Sequence, residues 1–150
     1  MKKVLSFILL IIIIATLAAC SAKLPCDLSN TSSIEIHAYG NDSAEPFAKF
    51  IVNGEEVAIL THMFSSLKLK ELKYTEPSIR GYEFWFRNEN GDEIAKIELP
   101  YGPTPWVVVK GTAYQDVDGG IDVEYLDQLV ESASTAGPML KKKKNTNRVD

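Results

Sequence analysis

The sequence predicts an α+β domain in which an antiparallel sheet of four to five strands has two helices packed on one face. Three observations predict it. Several segments alternate apolar and polar residues with a period of two, an Asn-Gly turn joins two of them as a hairpin, and two other segments repeat apolar residues at helical spacing. Because hairpins rather than crossovers connect the strands, neighbouring strands are expected to run antiparallel.

The first strand is predicted over residues 34–39, where alternation ends at a Gly-Asn-Asp turn. The next segment has two interpretations. Residues 47–52 are typical of a strand before an Asn-Gly hairpin turn, but apolar residues then recur at helical spacing, with Asn53 and Glu56 placed as a capping box. We predict a helix over about residues 55–67 and leave the preceding strand open.

The clearest hairpin runs from Gly81 to Leu99 around an Asn-Gly turn. In its first strand Tyr82, Phe84 and Phe86 share one face, so Trp85 is expected to face the opposite way.

Two further elements complete the predicted domain. Residues 106–110 predict another strand, and residues 111–114 either extend it or begin a new one. Asp122 is placed to cap a closing helix whose apolar residues share one stripe.

Composition divides the chain into four parts. We predict a signal peptide over residues 1–19, a flexible tether over residues 20–32, a globular α+β domain over residues 33–133 and a basic disordered tail over residues 134–150. The 150 residues carry a net charge of −4, which argues against a nucleic-acid binder. No internal repeat is visible in the sequence.

The N-terminal segment has the order of an export signal: two lysines, an apolar core over residues 7–15, then Leu17-Ala18-Ala19-Cys20. The core is short for a membrane-spanning helix, which needs about 20 apolar residues. The last four residues resemble the lipobox of bacterial lipoproteins. This resemblance implies cleavage before Cys20 and lipidation of its thiol, so that the protein is anchored to the cell membrane on the extracytoplasmic face.

The body has a second resemblance, to small lipoproteins of Gram-positive bacteria whose function is largely unassigned. It is carried by Phe64-Ser65-Ser66-Leu67, by Glu76-Pro77-Ser78-Ile79-Arg80-Gly81-Tyr82, by the Asn-Gly-Asp turn, and by Tyr114 with residues 121–129. The likeness spans roughly residues 55–130 and implies location and fold. It brings no catalytic residues.

Catalytic signatures are mostly missing from the sequence, which has no GxSxG, HExxH, Walker or GxGxxG motif. We interpret His37 and His62 as structural or surface residues, and Cys26 as a linker residue rather than a redox centre. The acids from Asp116 to Glu124 do not follow the spacing of a calcium-binding loop. We therefore predict a non-enzyme with no cofactor and no metal site.

Aromatic residues supply the candidate binding sites. Residues 99–106 form a proline-stiffened loop in which Tyr101 and Trp106 are candidates for a partner platform, although Trp106 could equally close the end of the core. Trp85 is the third candidate. The leading hypothesis is a binding module for an unidentified protein or envelope component.

Charge distribution suggests an alternative within the class of binding proteins. Residues 141–150 carry +4 and residues 20–140 carry −10, which together with Lys2 and Lys3 give the net charge of −4. The basic tail is suited to anionic headgroups or simply to solvent. The acidic body is suited to a cationic partner, so the alternative hypothesis is an inhibitor or immunity lipoprotein that blocks a basic hydrolase.

Overall fold

The computed structural model describes residues 22–40, 43–73, 81–102 and 104–135. In these ranges seven strands form one antiparallel sheet in the order β2-β1-β4-β5-β6-β7-β3. The strands are β1 Ser33–Tyr39, β2 Pro46–Asn53, β3 Leu69–Glu71, β4 Tyr82–Arg87, β5 Glu93–Leu99, β6 Trp106–Val109 and β7 Thr112–Asp116. Two helices, α1 Glu55–Ser66 and α2 Val123–Thr135, accompany them.

The core lies between the helices and one face of the sheet. Phe64 of α1 is fully buried, and its ring centroid lies 4.9 Å from that of Phe84 and 5.7 Å from that of Phe86. Both contacts are edge-to-face, an arrangement that aromatic rings favour. The alternation of β4 therefore places Tyr82, Phe84 and Phe86 on one face, as predicted, and Phe84 and Phe86 contact α1.

Helix α2 is held at its start and against the sheet. The backbone N–H of Tyr125 donates to Asp122 Oδ1 at 2.9 Å, which confirms the predicted N-cap. The Tyr82 hydroxyl donates to the carboxylate of Asp127, which ties α2 to β4. Burial, and then this hydrogen bond, raise the pKa of Tyr82.

The α+β class and the antiparallel sheet are confirmed, whereas the predicted count of four to five strands was wrong. The sheet has seven strands because β2 is a full strand before α1, β7 is separate from β6, and β3 adds an edge. A strand as short as β3 shows no measurable alternation, since three residues contain only one repeat of period two.

The predicted capping box at Asn53 was also wrong. Asn53 is the last residue of β2 and pairs with Ser33, while Gly54, at φ 65°, takes the cap position without a side-chain hydrogen bond. A strand runs almost directly into the helix here, so the residue between them must adopt a backbone conformation that favours glycine.

The segment predicted as a tether lies against the domain from Ala22 onwards. Ala22 and Leu69 of β3 exchange two backbone hydrogen bonds, of 2.7 and 2.8 Å. Leu24 and Leu28 belong to the core, and Leu28 is only 1% exposed. The described chain therefore packs on the domain from its first residue, Ala22, because Leu24 and Leu28 enter the core and Cys26 packs against it.

The predicted signal peptide, Cys20 and the basic tail beyond residue 135 lie outside the described residues. Among the residues that the structure does describe, neither helix has the length and hydrophobicity needed to cross a bilayer.

Gly81 is expected to be essential for stability. A Cβ at this position would overlap the carbonyl oxygen of Leu99, where β5 leaves the sheet. We expect Gly81→Ala to lower the free energy of unfolding by about 2 kcal/mol, because backbone must move to relieve the overlap. Urea unfolding measures the change. Gly40→Ala is the control, since a Cβ there meets nothing within 4 Å, and equal stability of the two variants would contradict the expectation.

Candidate functional site

The face of the sheet opposite the helices is not covered by any helix in the described ranges; we call it the open face. The strand registers place on it the outward-pointing residues Glu35, His37, Phe47, Lys49, Ile51, Glu83, Trp85, Arg87, Lys96, Glu98, Trp106 and Val108. The same period of two that buries one side of each strand therefore builds this surface. Among these residues, sequence analysis proposed only Trp85 and Trp106 as binding candidates.

Glu35 is the centre of the first charge cluster on the open face. Its Oε1 lies 2.8 Å from Lys49 Nζ and 2.9 Å from His37 Nε2, and its Oε2 accepts a hydrogen bond of 3.0 Å from Arg87. The contacts with Lys49 and His37, and then that with Arg87, lower the pKa of Glu35 to about 2. This carboxylate is thus ionised and fixed in place at neutral pH.

Lys96 is the centre of the second cluster. Glu83 of β4 and Glu98 of β5 are directly opposite each other, an arrangement of like charges that destabilises a sheet. Lys96 Nζ lies 3.1 Å from Glu83 Oε1 and 2.9 Å from Glu98 Oε1, so one ammonium group neutralises the repulsion. These carboxylates raise the pKa of Lys96 although its partial burial opposes the rise.

Trp85 joins the two clusters. Lys96 Nζ lies 4.8 Å from the centroid of its ring, a cation–π distance, and the His37 ring centroid lies 6.0 Å away on the other side. Trp85 is half-buried, and its indole Nε1 is hidden from solvent with no hydrogen-bond partner among the described residues. A buried donor without a partner is costly, and such groups are concentrated at functional sites.

The resulting arrangement suits recognition better than chemistry. His37 lies between two carboxylates, with Nδ1 3.7 Å from Glu83 Oε2, and the Tyr39 hydroxyl donates to the same oxygen at 3.0 Å. These groups hold one another in place, so the charges on this face form an ordered pattern around the indole ring.

The three aromatic candidates do not form one patch. Tyr101 packs on Tyr82, with ring centroids 6.0 Å apart, on the side of the sheet that carries α2. Trp106 also lies on the open face, but on β6, two strands away from Trp85 on β4. The β5–β6 register, when continued, places Trp106 opposite Pro100, whereas Trp85 pairs with Lys96, four residues earlier in the chain. At normal strand spacings this separates the two tryptophans by about 16 Å.

Cys26 and the acidic loop show no sign of chemistry. Burial raises the pKa of the Cys26 thiol, which makes it less reactive at neutral pH. Asp116 is buried and accepts a hydrogen bond from the Ile121 N–H at 3.1 Å, so it stabilises the loop before α2. Within the described ranges no group of three or more His, Cys, Asp or Glu residues is arranged to hold a metal ion.

A second surface, missed by sequence analysis, lies on the helices. A groove of about 710 Å³ runs between α1 and the start of α2, and its floor includes Ile59, Met63 and Tyr125. Six acidic side chains are exposed around it and along both helices, beside neutral residues and His62: Glu55, Glu56, Asp122, Glu124, Asp127 and Glu131. Neither α1 nor α2 contains a lysine or an arginine. We call this surface the acidic helical layer.

No family model, curated protein or solved structure matches the chain.

The stability contributed by Glu35 is expected to depend on pH. Its folded pKa lies below that of the unfolded chain, so the contribution is complete above about pH 5 and is lost as the pH falls towards 2. We expect Glu35→Gln to lower the free energy of unfolding at pH 7 by about 2 kcal/mol, since solvent screens the contact with the exposed Lys49.

Urea unfolding at pH 7, 5, 4 and 3 measures this effect. The difference between wild type and Glu35→Gln should shrink steadily below pH 5. Glu93→Gln, at an exposed position on β5, is the control and should change little at any pH. A difference that stays constant from pH 7 to pH 3 would contradict the assignment to Glu35.

Proposed function

We propose that this protein is a lipid-anchored extracytoplasmic lipoprotein that acts as a non-enzymatic binding module for a protein or an envelope component. The charge pattern of the open face supports the proposal that the protein binds a partner. Six of the charged residues on this face, Glu35, Lys49, Glu83, Arg87, Lys96 and Glu98, comprise three acids and three bases that are paired with one another around Trp85.

The physical argument is one of preorganisation. A surface whose side chains are already ordered loses little conformational entropy when a partner binds. Tryptophan, tyrosine and arginine at the centre of such a surface are the residue types that contribute most to binding energy. Trp85 and Arg87 lie on the central strand β4.

The anchor is proposed from the lipobox resemblance at Cys20, and the packing of Ala22 adds a geometric consequence. Ala22 is hydrogen-bonded to the edge strand β3, only two residues after Cys20. Since a residue spans at most about 3.6 Å, a lipid on Cys20 would hold that edge of the sheet within about 10 Å of the bilayer surface. The domain would thus sit close to the membrane rather than at the end of a long tether.

The acidic helical layer favours a second candidate function, that of an inhibitor or immunity lipoprotein against a basic hydrolase. Acids at helix N-termini are common because they complement the helix dipole, which accounts for Glu55, Glu56 and Glu124. It does not account for Glu131 farther along α2, where Asp127 already accepts the hydrogen bond from Tyr82. A layer without lysine or arginine around an apolar groove is suited to a partner with exposed basic side chains.

The anchor is tested by Cys20→Ser in the full chain. We expect wild-type protein to fractionate with membranes and to have a mass that corresponds to residues 20–150 plus acyl chains. The variant should remain as uncleaved precursor or be released, because serine lacks the thiol that carries the lipid. Cys26→Ser is the matched control and should behave as wild type. An unchanged mature mass and unchanged fractionation of Cys20→Ser would refute the anchor.

The binding surface is tested by cross-linked capture from envelope extracts with the native protein at low and high salt. We expect Trp85→Ala to lose the captured partner, and Glu55→Gln/Glu56→Gln/Glu124→Gln to retain it. The control is Glu89→Gln/Glu93→Gln on the exposed β4–β5 hairpin. Circular dichroism verifies that each variant is folded.

Three other outcomes have defined meanings. A salt-sensitive basic partner that is lost with the helical triple variant, but not with Trp85→Ala, would support the inhibitor candidate and refute the open face as the site. Capture that survives both sets of substitutions would refute both surfaces. Recovery of no specific partner would contradict both protein-binding functions and leave envelope polymers as the remaining partner class.

A further inference from the structure

The outer edge of β2 differs from the opposite edge of the sheet. Among the described residues no strand pairs with this edge of β2, which is eight residues long. At the other edge, β3 has only three residues, and Ala22 already bridges it at Leu69. A long, unpaired strand edge presents a row of backbone donors and acceptors that another strand can pair with.

Apolar side chains are exposed along the same strand. Phe47 and Ile51 are 63% and 60% exposed, more than any other large hydrophobic residue that the structure describes. Both point to the open face, with Lys49 between them. Natural sheets usually protect long edges with charges, proline, bulges or short strands. The β2 edge has Lys49 at its centre and Pro46 at an irregular end, yet two large apolar residues stay exposed along it, which marks an interaction surface.

The residue pattern of β2 is complementary to itself. When two copies pair antiparallel with Lys49 opposite Lys49, Phe47 lies opposite Ile51 on the open face. On the other face Ala48 lies opposite Phe50, and Pro46 lies opposite Val52. A shift of two residues in either direction places Lys49 opposite Phe47 or Ile51 and breaks this match, so the pattern selects one register.

The lysine at the centre is compatible with this register. Like charges directly opposite each other would oppose pairing, but Lys49 Nζ lies 2.8 Å from Glu35 Oε1 on β1, which is on the inner side of β2. The ammonium group is therefore drawn away from the edge at which a second strand would add.

We propose that two copies of this chain pair antiparallel through the β2 edges, about a two-fold axis at Lys49, to form one continuous sheet of fourteen strands. An antiparallel pair of this length makes about six main-chain hydrogen bonds, in addition to the two Phe47–Ile51 contacts. The contact is isologous and uses both β2 edges, so it closes at a dimer and leaves only the short, bridged β3 edges outside.

The dimer would extend the proposed binding surface. The two-fold axis is perpendicular to the sheet, because residues on the same face pair with each other, so both open faces lie on the same side. Two Trp85 clusters would then face one partner or one polymer, and such bivalence raises avidity without any new contact. The pairing itself does not depend on the proposed function, since it uses β2 alone.

The test is disulfide cross-linking in the full chain with Cys20→Ser and Cys26→Ser, which removes the only other thiols. In the proposed register, residue 49 faces its own copy with Cα atoms about 5 Å apart, within reach of a disulfide. We expect Lys49→Cys to form a covalent dimer rapidly on mild oxidation. Ile51→Cys is the matched control, because its own copy would lie about 13 Å away.

Sedimentation equilibrium of the same thiol-free chain provides a second readout that needs no cysteine at the axis. We expect this chain to be a dimer. The double variant Phe47→Lys/Ile51→Lys should raise the dissociation constant of the dimer at least tenfold. Ile59→Lys, on the exposed surface of α1, should leave it unchanged. A monomeric wild type, or equal cross-linking of Lys49→Cys and Ile51→Cys, would overturn the proposal. If Lys49→Cys cross-links in cells only to a different protein, that protein and not a second copy pairs with the β2 edge, and the proposal is overturned.

Discussion

The packing of Phe64 against Phe84 and Phe86 is the contact on which the rest of the structure depends. It determines which face of the sheet is covered by α1, and the alternation of β4 then places Glu83, Trp85 and Arg87 on the other face. A one-residue slip of β4 would exchange the two sets, which would bury charges and expose phenylalanines. The core and the candidate site are therefore two consequences of one register.

The open face is ordered by electrostatics in a way that an ordinary solvated sheet face is not. Two carboxylates that face each other across β4 and β5 are tolerated because Lys96 lies between them. Glu35 contacts three cationic or titratable partners from three different strands. These contacts hold long side chains in one arrangement, so the charges on the open face are ordered.

The two edges of the sheet also differ from each other. One edge is short and bridged by Ala22, immediately after the predicted lipidation site, whereas the other edge is long, apolar and unpaired among the described residues. If the anchor is as proposed, a dimer through β2 carries its two lipids at opposite ends. Both anchors then reach one bilayer only when the sheet lies along the membrane.

The sequence by itself determined the features that depend on neighbours along the chain. The β4–β5 hairpin, the orientation of Trp85 and the Asp122 cap of α2 follow from alternation, an Asn-Gly turn and a capping residue. The export signal and Cys20 are likewise predicted from local pattern, since a peptidase would recognise an extended segment.

Only the tertiary structure decided what depends on contacts between distant segments. Leu24 and Leu28 were assigned to the tether because the surrounding segment is rich in polar residues, yet they are buried in the core. The edge position of β2, the grouping of Glu35 with Arg87, and the separation of Tyr101 from Trp85 arise from strand order, which local periodicity does not encode. Strand order is set by which apolar faces pack together over the whole chain, so it was visible only once the fold was known.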